Sequence, residues 1–178
     1  MQHIRRPAFP VVTLMQALQR SVLFKKSRSM LPILTNDKSS MAIVFTWKVR
    51  VYYEDTDAGG IVYYANYLKF FERARTEWLR AIEVNQRALL EQHDAMFVVK
   101  NICTDYHAPA RLDDVLELTL AIEKLGRASI DFVQQAWCGA TLLNTARVRI
   151  ACVDSRLRPR ALPSDVAASM RAAATSVA

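Results

Sequence analysis

From Phe45 the chain alternates, with Trp47, Val49, Val51 and Tyr53 separated by Lys48, Arg50, Tyr52 and Glu54. A period of two sends successive side chains to opposite faces of a strand, so a strand is expected here. Beyond Tyr64 the period changes. Tyr67, Phe71, Ala74, Trp78 and Ile82 recur at steps of four, three, four and four, the spacing of one buried helix face. Lys69, Glu72, Arg73, Thr76, Arg80 and Glu83 fall opposite them, so the pattern predicts one long amphipathic helix over about residues 64–85. A polar interval, Gln86 to Asp94, leads into Met96, Phe97, Val98 and Val99 and on to Tyr106, a second strand closed by Pro109. Leu116, Leu118, Leu120 and Ile122 alternate in a third strand that ends at Gly126. Ile130, Phe132, Val133, Ala136 and Trp137 form a fourth before Gly139, and Ala146, Val148, Ile150 and Cys152 alternate with Arg147, Arg149 and Ala151 in a fifth. The two glycines here punctuate hairpins.

This order, a strand, a long helix and four strands in hairpin succession, predicts the α+β class: a five-stranded antiparallel sheet holding one helix against its inner face. One helix cannot cover such a sheet and its edges. Open edges favour association, so at least a dimer is expected. Residues 42–165 form the expected domain, preceded by a basic extension over 1–41 and followed by an alanine-rich tail, 166–178, expected to be a frayed helix or disordered.

Charge alters the picture only at the start of the chain. The net charge of +7 suggests a polyanion partner until it is located, but residues 1–40 carry seven Lys or Arg against the single acid Asp37. The rest balances 17 basic against 16 acidic side chains, so a nucleic-acid-binding domain has no compositional support. The extension has a weak helical stripe at Val11, Met15, Leu18 and Val22, and Met30 and Met41 are both possible starts. It reads as an upstream-start artefact or disordered tail, with a targeting or membrane-surface role as the alternative. Cys103, Cys138 and Cys152 stand far apart without C-x-x-C spacing, which suggests reduced thiols rather than a disulfide framework or zinc site. No apolar run approaches the roughly 18 residues of a membrane span, so a soluble protein is expected.

The candidate chemistry gathers in Glu54 to Tyr67, EDTDAGGIVYYANY. Two of the chain's four glycines, Gly59 and Gly60, stand side by side there, just after Glu54, Asp55 and Asp57. An adjacent glycine pair marks a sharp turn that a ligand can approach closely. No Ser, Thr, Asp or Asn lies between Ala58 and Ala65, so the helix start is expected to lack a side-chain cap. Its first N–H groups would then be available to an oxygen gaining negative charge. With Asp57 nearby, a base and an oxyanion site coexist. The pairing suits acyl hydrolysis, with the carboxylate attacking a carbonyl directly or deprotonating a water. The structural alternative is an Asp that merely bonds its own turn. A metal on Asp55 and Asp57 is not predicted, because no further acid or His follows at ligand spacing. Neither a phosphate loop nor a G-x-S-x-G elbow is present.

The run VYYEDTDAGGIVYYANYLKFFERARTEWL, Val51 to Leu79, resembles the signature of the hotdog-fold acyl-CoA thioesterases of the hydroxybenzoyl-CoA thioesterase family, nearest the YbgC-like, Tol-Pal-associated group. The likeness covers about residues 45–165 in motif and element order. It implies a sheet wrapped around a central helix, a homodimer or homotetramer with a continuous sheet, an acyl-CoA substrate and no metal or cofactor. It also implies Asp57 as the catalytic carboxylate, nucleophile or general base, and the backbone N–H of Tyr64 as the group polarising the carbonyl. Gly60 would give the backbone room, and Ile61, Asn66 and Tyr67 would shape the substrate pocket. Many members of the group carry histidine where this chain has Tyr64, so a role for that histidine does not transfer. Glu72 is the second-choice acid, since a helical Glu serves in another hotdog lineage. His93 and His107 lie outside the motif, and Arg111 or Lys124 could meet CoA phosphates. The resemblance implies a cytoplasmic enzyme, peripheral at most to the inner membrane. A non-catalytic module that docks acyl carrier protein or lipid-synthesis enzymes is the competing function, and a hotdog dehydratase would need a histidine that the motif lacks.

Overall fold

The computed structural model describes residues 42–175, and the basic extension with its apolar stripe lies outside them. Strand β1 (Ile43–Arg50) leads through a 3₁₀ turn (Tyr53–Asp55) to helix α1 (Asn66–Ala81) and the shorter α2 (Gln86–His93). Strands β2 (Met96–Tyr106), β3 (Val115–Leu125), β4 (Ser129–Cys138) and β5 (Thr141–Val153) follow, and α3 (Ser164–Thr175) closes the described chain. The five strands form one sheet in the order β1-β3-β4-β5-β2, antiparallel throughout. The α+β class and five-stranded antiparallel sheet expected from the alternation are observed, in the hotdog arrangement that the resemblance implied, but hairpin succession holds only for β3, β4 and β5, since β2 pairs with β5 rather than with β3.

Register explains the core. Leu118 stands opposite Trp47 on one side and Ala136 on the other, while Phe132 lies between Ile122 and Val148. These rows put Leu116, Leu118, Leu120, Ile130, Phe132, Ala146, Val148 and Ile150 into one buried cluster with the helix side chains Tyr67, Phe70, Phe71, Ala74 and Trp78. Helix α1 packs chiefly on β3 and β1, and the Trp78 ring meets Phe132 edge-on at 5.4 Å between centroids. One member of the buried face was not legible from periodicity. Arg75 is 8% exposed, its guanidinium donates to Gln134 Oε1 at 2.7 Å, and the Gln134 amide donates to the Phe71 carbonyl at 3.0 Å. Burial pushes the Arg75 guanidinium down to about 10. This polar bridge fixes the helix to β4 where packing alone would leave its rotation less defined.

Three segments differ from the pattern-based expectation. The helix begins two residues later and stops at Ala81, because Glu83 takes a left-handed conformation (φ 61°) and Asn85 starts a new helix. The Asn85 side chain accepts from the Arg87 and Ala88 amides, so the polar interval is helix α2 with Leu89 buried beneath it. Tyr53 was placed on the apolar face of the first strand, yet it is 81% exposed, since the chain leaves the sheet after Arg50 and turns. The alanine-rich end is helical as far as Thr175, held by buried Val166, Ala167 and Met170. None of the described helices is long and apolar enough to cross a membrane.

Trp78→Ala should lower unfolding free energy by about 3 to 5 kcal/mol, read as a shifted denaturation midpoint, whereas Lys69→Ala on the exposed face should change it by less than about 0.5 kcal/mol. The turn after β5 supplies a pH test. The Asp154 carboxylate accepts from the Arg158 and Arg156 amides and the Arg158 guanidinium, and these bonds hold its carboxyl below the usual range. A carboxylate with a lowered folded-state value stabilises above its unfolded value of about 3.9 and loses that contribution as pH falls through the folded one. Asp154→Asn should therefore flatten the acid limb of a melting-temperature profile.

Candidate active site

The loop that carries Asp57 is built on Asp55. Only 2% exposed at the end of the 3₁₀ turn, Asp55 accepts the Tyr52 amide on Oδ2 at 2.9 Å, which caps its own turn. Its backbone carbonyl accepts twice, from the Tyr63 amide at 2.8 Å and from Asn66 Nδ2 at 2.9 Å. These two bonds draw the start of the helix against the end of the first strand's turn. Between them the chain runs out and back, with the Asp57 amide donating to the Ile61 carbonyl at 2.9 Å and Gly60 N to Asp57 O at 3.0 Å. Val62 N donates to Ala110 O at 2.9 Å, and the buried Tyr67 hydroxyl accepts from Ala110 N at 3.1 Å. The segment between β2 and β3 thereby clamps the loop from the side.

Each glycine of the pair has its own reason. Gly60 has φ +72°, a region that costs an L residue roughly 1–2 kcal/mol. A Cβ there would meet no protein atom within 4 Å, so within the protein it is the positive φ of the turn that calls for glycine. Gly59 is the crowded one. Its amide donates to Asp57 Oδ1 at 2.7 Å, and a Cβ on it would press on the same oxygen at 3.0 Å. The Asp57 carboxylate is thus held in an exposed Asx-type turn by one oxygen.

The helix start has the uncapped form expected from the motif, since Ala65 at the N-cap position offers no side-chain acceptor. Its first turn is wound tightly, with Asn66 N donating to Tyr63 O at 2.8 Å and Leu68 N to Ala65 O at 3.1 Å. The amides of Tyr64 and Ala65 have no hydrogen-bond partner among the described residues. Tyr106, the last residue of β2, donates its hydroxyl to the Tyr64 carbonyl at 2.9 Å. The Tyr106 ring stands edge-on to Tyr64 at 6.5 Å and to Tyr67 at 5.8 Å. Burial pushes the Tyr67 and Tyr106 hydroxyls up, so both stay protonated.

Asp57, Gly60, Ile61, Tyr64, Asn66 and Tyr67 come together in this loop and helix start. Asn66 and Tyr67 point their polar atoms into the loop's support, at Asp55 and Ala110. Glu72 lies elsewhere. Its carboxylate accepts from Thr76 Oγ1 at 2.8 Å and lines a separate cavity of about 90 Å³ with Arg75, Trp78, Phe97 and Phe132. His107 pairs with Thr145 Oγ1 at 3.1 Å, and His93 faces Asp165 at 3.8 Å. Arg111 adjoins Ala110 and so flanks the loop, whereas Lys124 stands nine residues along β3 from Val115, about 30 Å of strand away. Among the described residues no three His, Cys, Asp or Glu side chains gather as a metal site. Sequence reasoning missed Asp55 as the anchor, and missed Tyr106 and Ala110 altogether. Asp55 stood in the motif as one acid of three; the other two carried no local signal.

The fold is the hotdog sheet of the thioester hydrolases. A profile of the thioesterase-like superfamily matches residues 51–170, and the chain belongs to that superfamily. The acyl-CoA thioester hydrolase YbgC of Escherichia coli O6:H1 is 48% identical over 130 residues, 72% of this chain and 96% of that one. The acyl-CoA thioesterase YbgC of Haemophilus influenzae is 47% identical over 126 residues, 70% of this chain and 93% of its own. Among solved structures, a probable thioesterase from Bartonella henselae superposes with a TM-score of 0.65 at 36% identity, covering 67% of this chain and 98% of that one.

Asn66→Ala should destabilise the protein by about 1 to 3 kcal/mol, because it removes a buried donor from Asp55. Limited proteolysis should show the accompanying cleavage between residues 57 and 63, and an unchanged cleavage rate there would mean that the loop does not depend on this bond.

Proposed function

We propose that the chain hydrolyses the thioester of an acyl-CoA to the free acid and CoA, with Asp57 as the catalytic carboxylate and the unpartnered amide of Tyr64 as donor to the thioester oxygen. The supporting observation is that one short loop holds a tethered, exposed carboxylate immediately before a helix start whose Tyr64 and Ala65 amides have no partner among the described residues. The names of the YbgC relatives agree with an acyl-CoA substrate.

Two routes use these groups. As a general base, Asp57 takes a proton from water while the oxygen attacks the carbonyl carbon. The tetrahedral oxyanion is held by the amide, the C–S bond breaks, and the proton passes to the departing thiolate. As a nucleophile, the carboxylate displaces CoA thiolate to form a mixed anhydride that water then cleaves. Gly59 N–H steadies one oxygen in either case and leaves the other to act. Asn66 and Tyr67 serve by holding the loop in place, and Ile61 by closing it through its carbonyl.

Assembly follows from the sheet. Strand β2 pairs only with β5 and β1 only with β3, so each leaves one long edge unpaired among the described residues. A second copy that continues the sheet across such an edge would satisfy those groups, and the proposal includes a homodimer or a larger homo-oligomer.

Thiol release from a panel of short-chain, long-chain and aromatic acyl-CoAs should show turnover by the parent protein. Asp57→Asn, which keeps the shape and removes the base, should lower kcat/KM by on the order of a hundredfold or more. Equal rates for parent and variant would remove Asp57 from the mechanism. In H₂¹⁸O, label found in the Asp57 carboxylate after a single turnover selects the anhydride route with water attacking the Asp57 carbonyl carbon. Light scattering should give a dimeric mass or more, and a monomer at micromolar concentration would overturn the assembly.

A further inference from the structure

We infer that Tyr106 is a positioning residue for this reaction: its hydroxyl orients the peptide group between Tyr64 and Ala65 and strengthens the Ala65 N–H as a second donor to the developing oxyanion. The inference rests on the thioester-hydrolysis reading of the Asp57 loop.

In a regular α-helical start the Tyr64 carbonyl would accept from the amide four residues on, Leu68. Here Leu68 N–H goes to Ala65 O at 3.1 Å and Asn66 N–H to Tyr63 O at 2.8 Å, so the tightened turn passes over the Tyr64 carbonyl. The one donor that reaches it among the described residues is the Tyr106 hydroxyl, at 2.9 Å. That carbonyl belongs to the same peptide plane as the Ala65 N–H, and in a trans peptide the two point in opposite directions. A hydrogen bond accepted by the carbonyl draws electron density from the nitrogen, so the N–H on the far side becomes a better donor. Ala65 N–H has no partner among the described residues and stands beside the equally unpartnered Tyr64 N–H.

The sheet and two neighbouring rings define the placement. Tyr106 is tied into the sheet opposite Asn144 on β5, and its ring packs edge-on against both Tyr64 and Tyr67. A residue 42 positions downstream therefore sets the orientation of the helix's first peptide relative to the sheet. Because burial pushes its hydroxyl up, Tyr106 remains a donor across the range in which a carboxylate base is ionised.

Tyr106→Phe keeps the ring and deletes the hydroxyl. In the full-length protein, kcat for acyl-CoA hydrolysis should fall about tenfold with KM within about twofold of the parent, because the polarised N–H acts on the transition state, and the melting temperature should move little, because the lost bond is exposed and water can replace it. In ¹⁵N-labelled protein the Ala65 amide proton should move upfield in the variant, while Gly126, at the far hairpin, stays in place. A kcat equal to the parent's, a loss confined to KM or melting temperature, or an unmoved Ala65 resonance would overturn the inference. If the parent releases no thiol from any acyl-CoA, the hydrolysis reading fails and takes the catalytic role with it. The Ala65 resonance then decides separately whether Tyr106 polarises this peptide.

Discussion

The Asp55 carbonyl accepts two hydrogen bonds, one from the Tyr63 backbone and one from the Asn66 side chain, and the active-site geometry depends on that convergence. An irregular loop of this kind could take many conformations, each residue of which costs roughly 1–2 kcal/mol of entropy to order. The two bonds close it at its base, so the seven residues between Asp55 and Tyr63 are held at both ends by one buried group. Apart from Val62, whose amide donates to Ala110, the bonds within the loop are short-range: Asp57 to Ile61, Gly60 to Asp57, and Gly59 to the Asp57 carboxylate. The Asp57 carboxylate can be exposed without being loose, because the residue that anchors its loop is itself almost wholly buried.

A chain with four glycines spends two of them where the backbone has no alternative. Gly60 supplies a positive φ and Gly59 an absent Cβ, and the difference between the two is invisible until the carboxylate they surround is placed. The same economy governs the helix start. Alanine at the N-cap position gives up stabilisation of about 1 kcal/mol that Ser or Asp would provide, and leaves amides that a side-chain cap would otherwise occupy. Local stability is traded for donors in a place where charge is expected to develop.

The long helix is held by two kinds of contact. Apolar packing of Phe70, Phe71, Ala74 and Trp78 on the sheet supplies the bulk of the attraction but tolerates sliding and rotation. The buried Arg75–Gln134–Phe71 bridge adds direction, since a guanidinium in that surrounding must meet its acceptor or leave a charge uncompensated. Helix orientation fixes where its first turn lies relative to β2, and hence whether the Tyr106 hydroxyl can reach the Tyr64 carbonyl.

Periodicity in the sequence determined the five strands, the β3–β4 and β4–β5 hairpins, the α+β class and the stripe of α1, because alternation and helical spacing are set by residues a few positions apart. The acidic double-glycine motif and its uncapped helix start were legible for the same reason. That β2 pairs with β5 rather than with its chain neighbour β3 was decided by the whole sheet. Tertiary structure alone decided that Asp55 is buried as an anchor while Asp57 is exposed, although both are acids in one short run. It also decided that Arg75 lies in the core and that Tyr106 and Ala110 reach back to the motif from more than 40 residues away. Those outcomes depend on which strand lies beside which loop, and the register that brings them together is set by the packing of the whole sheet rather than by any window of the chain.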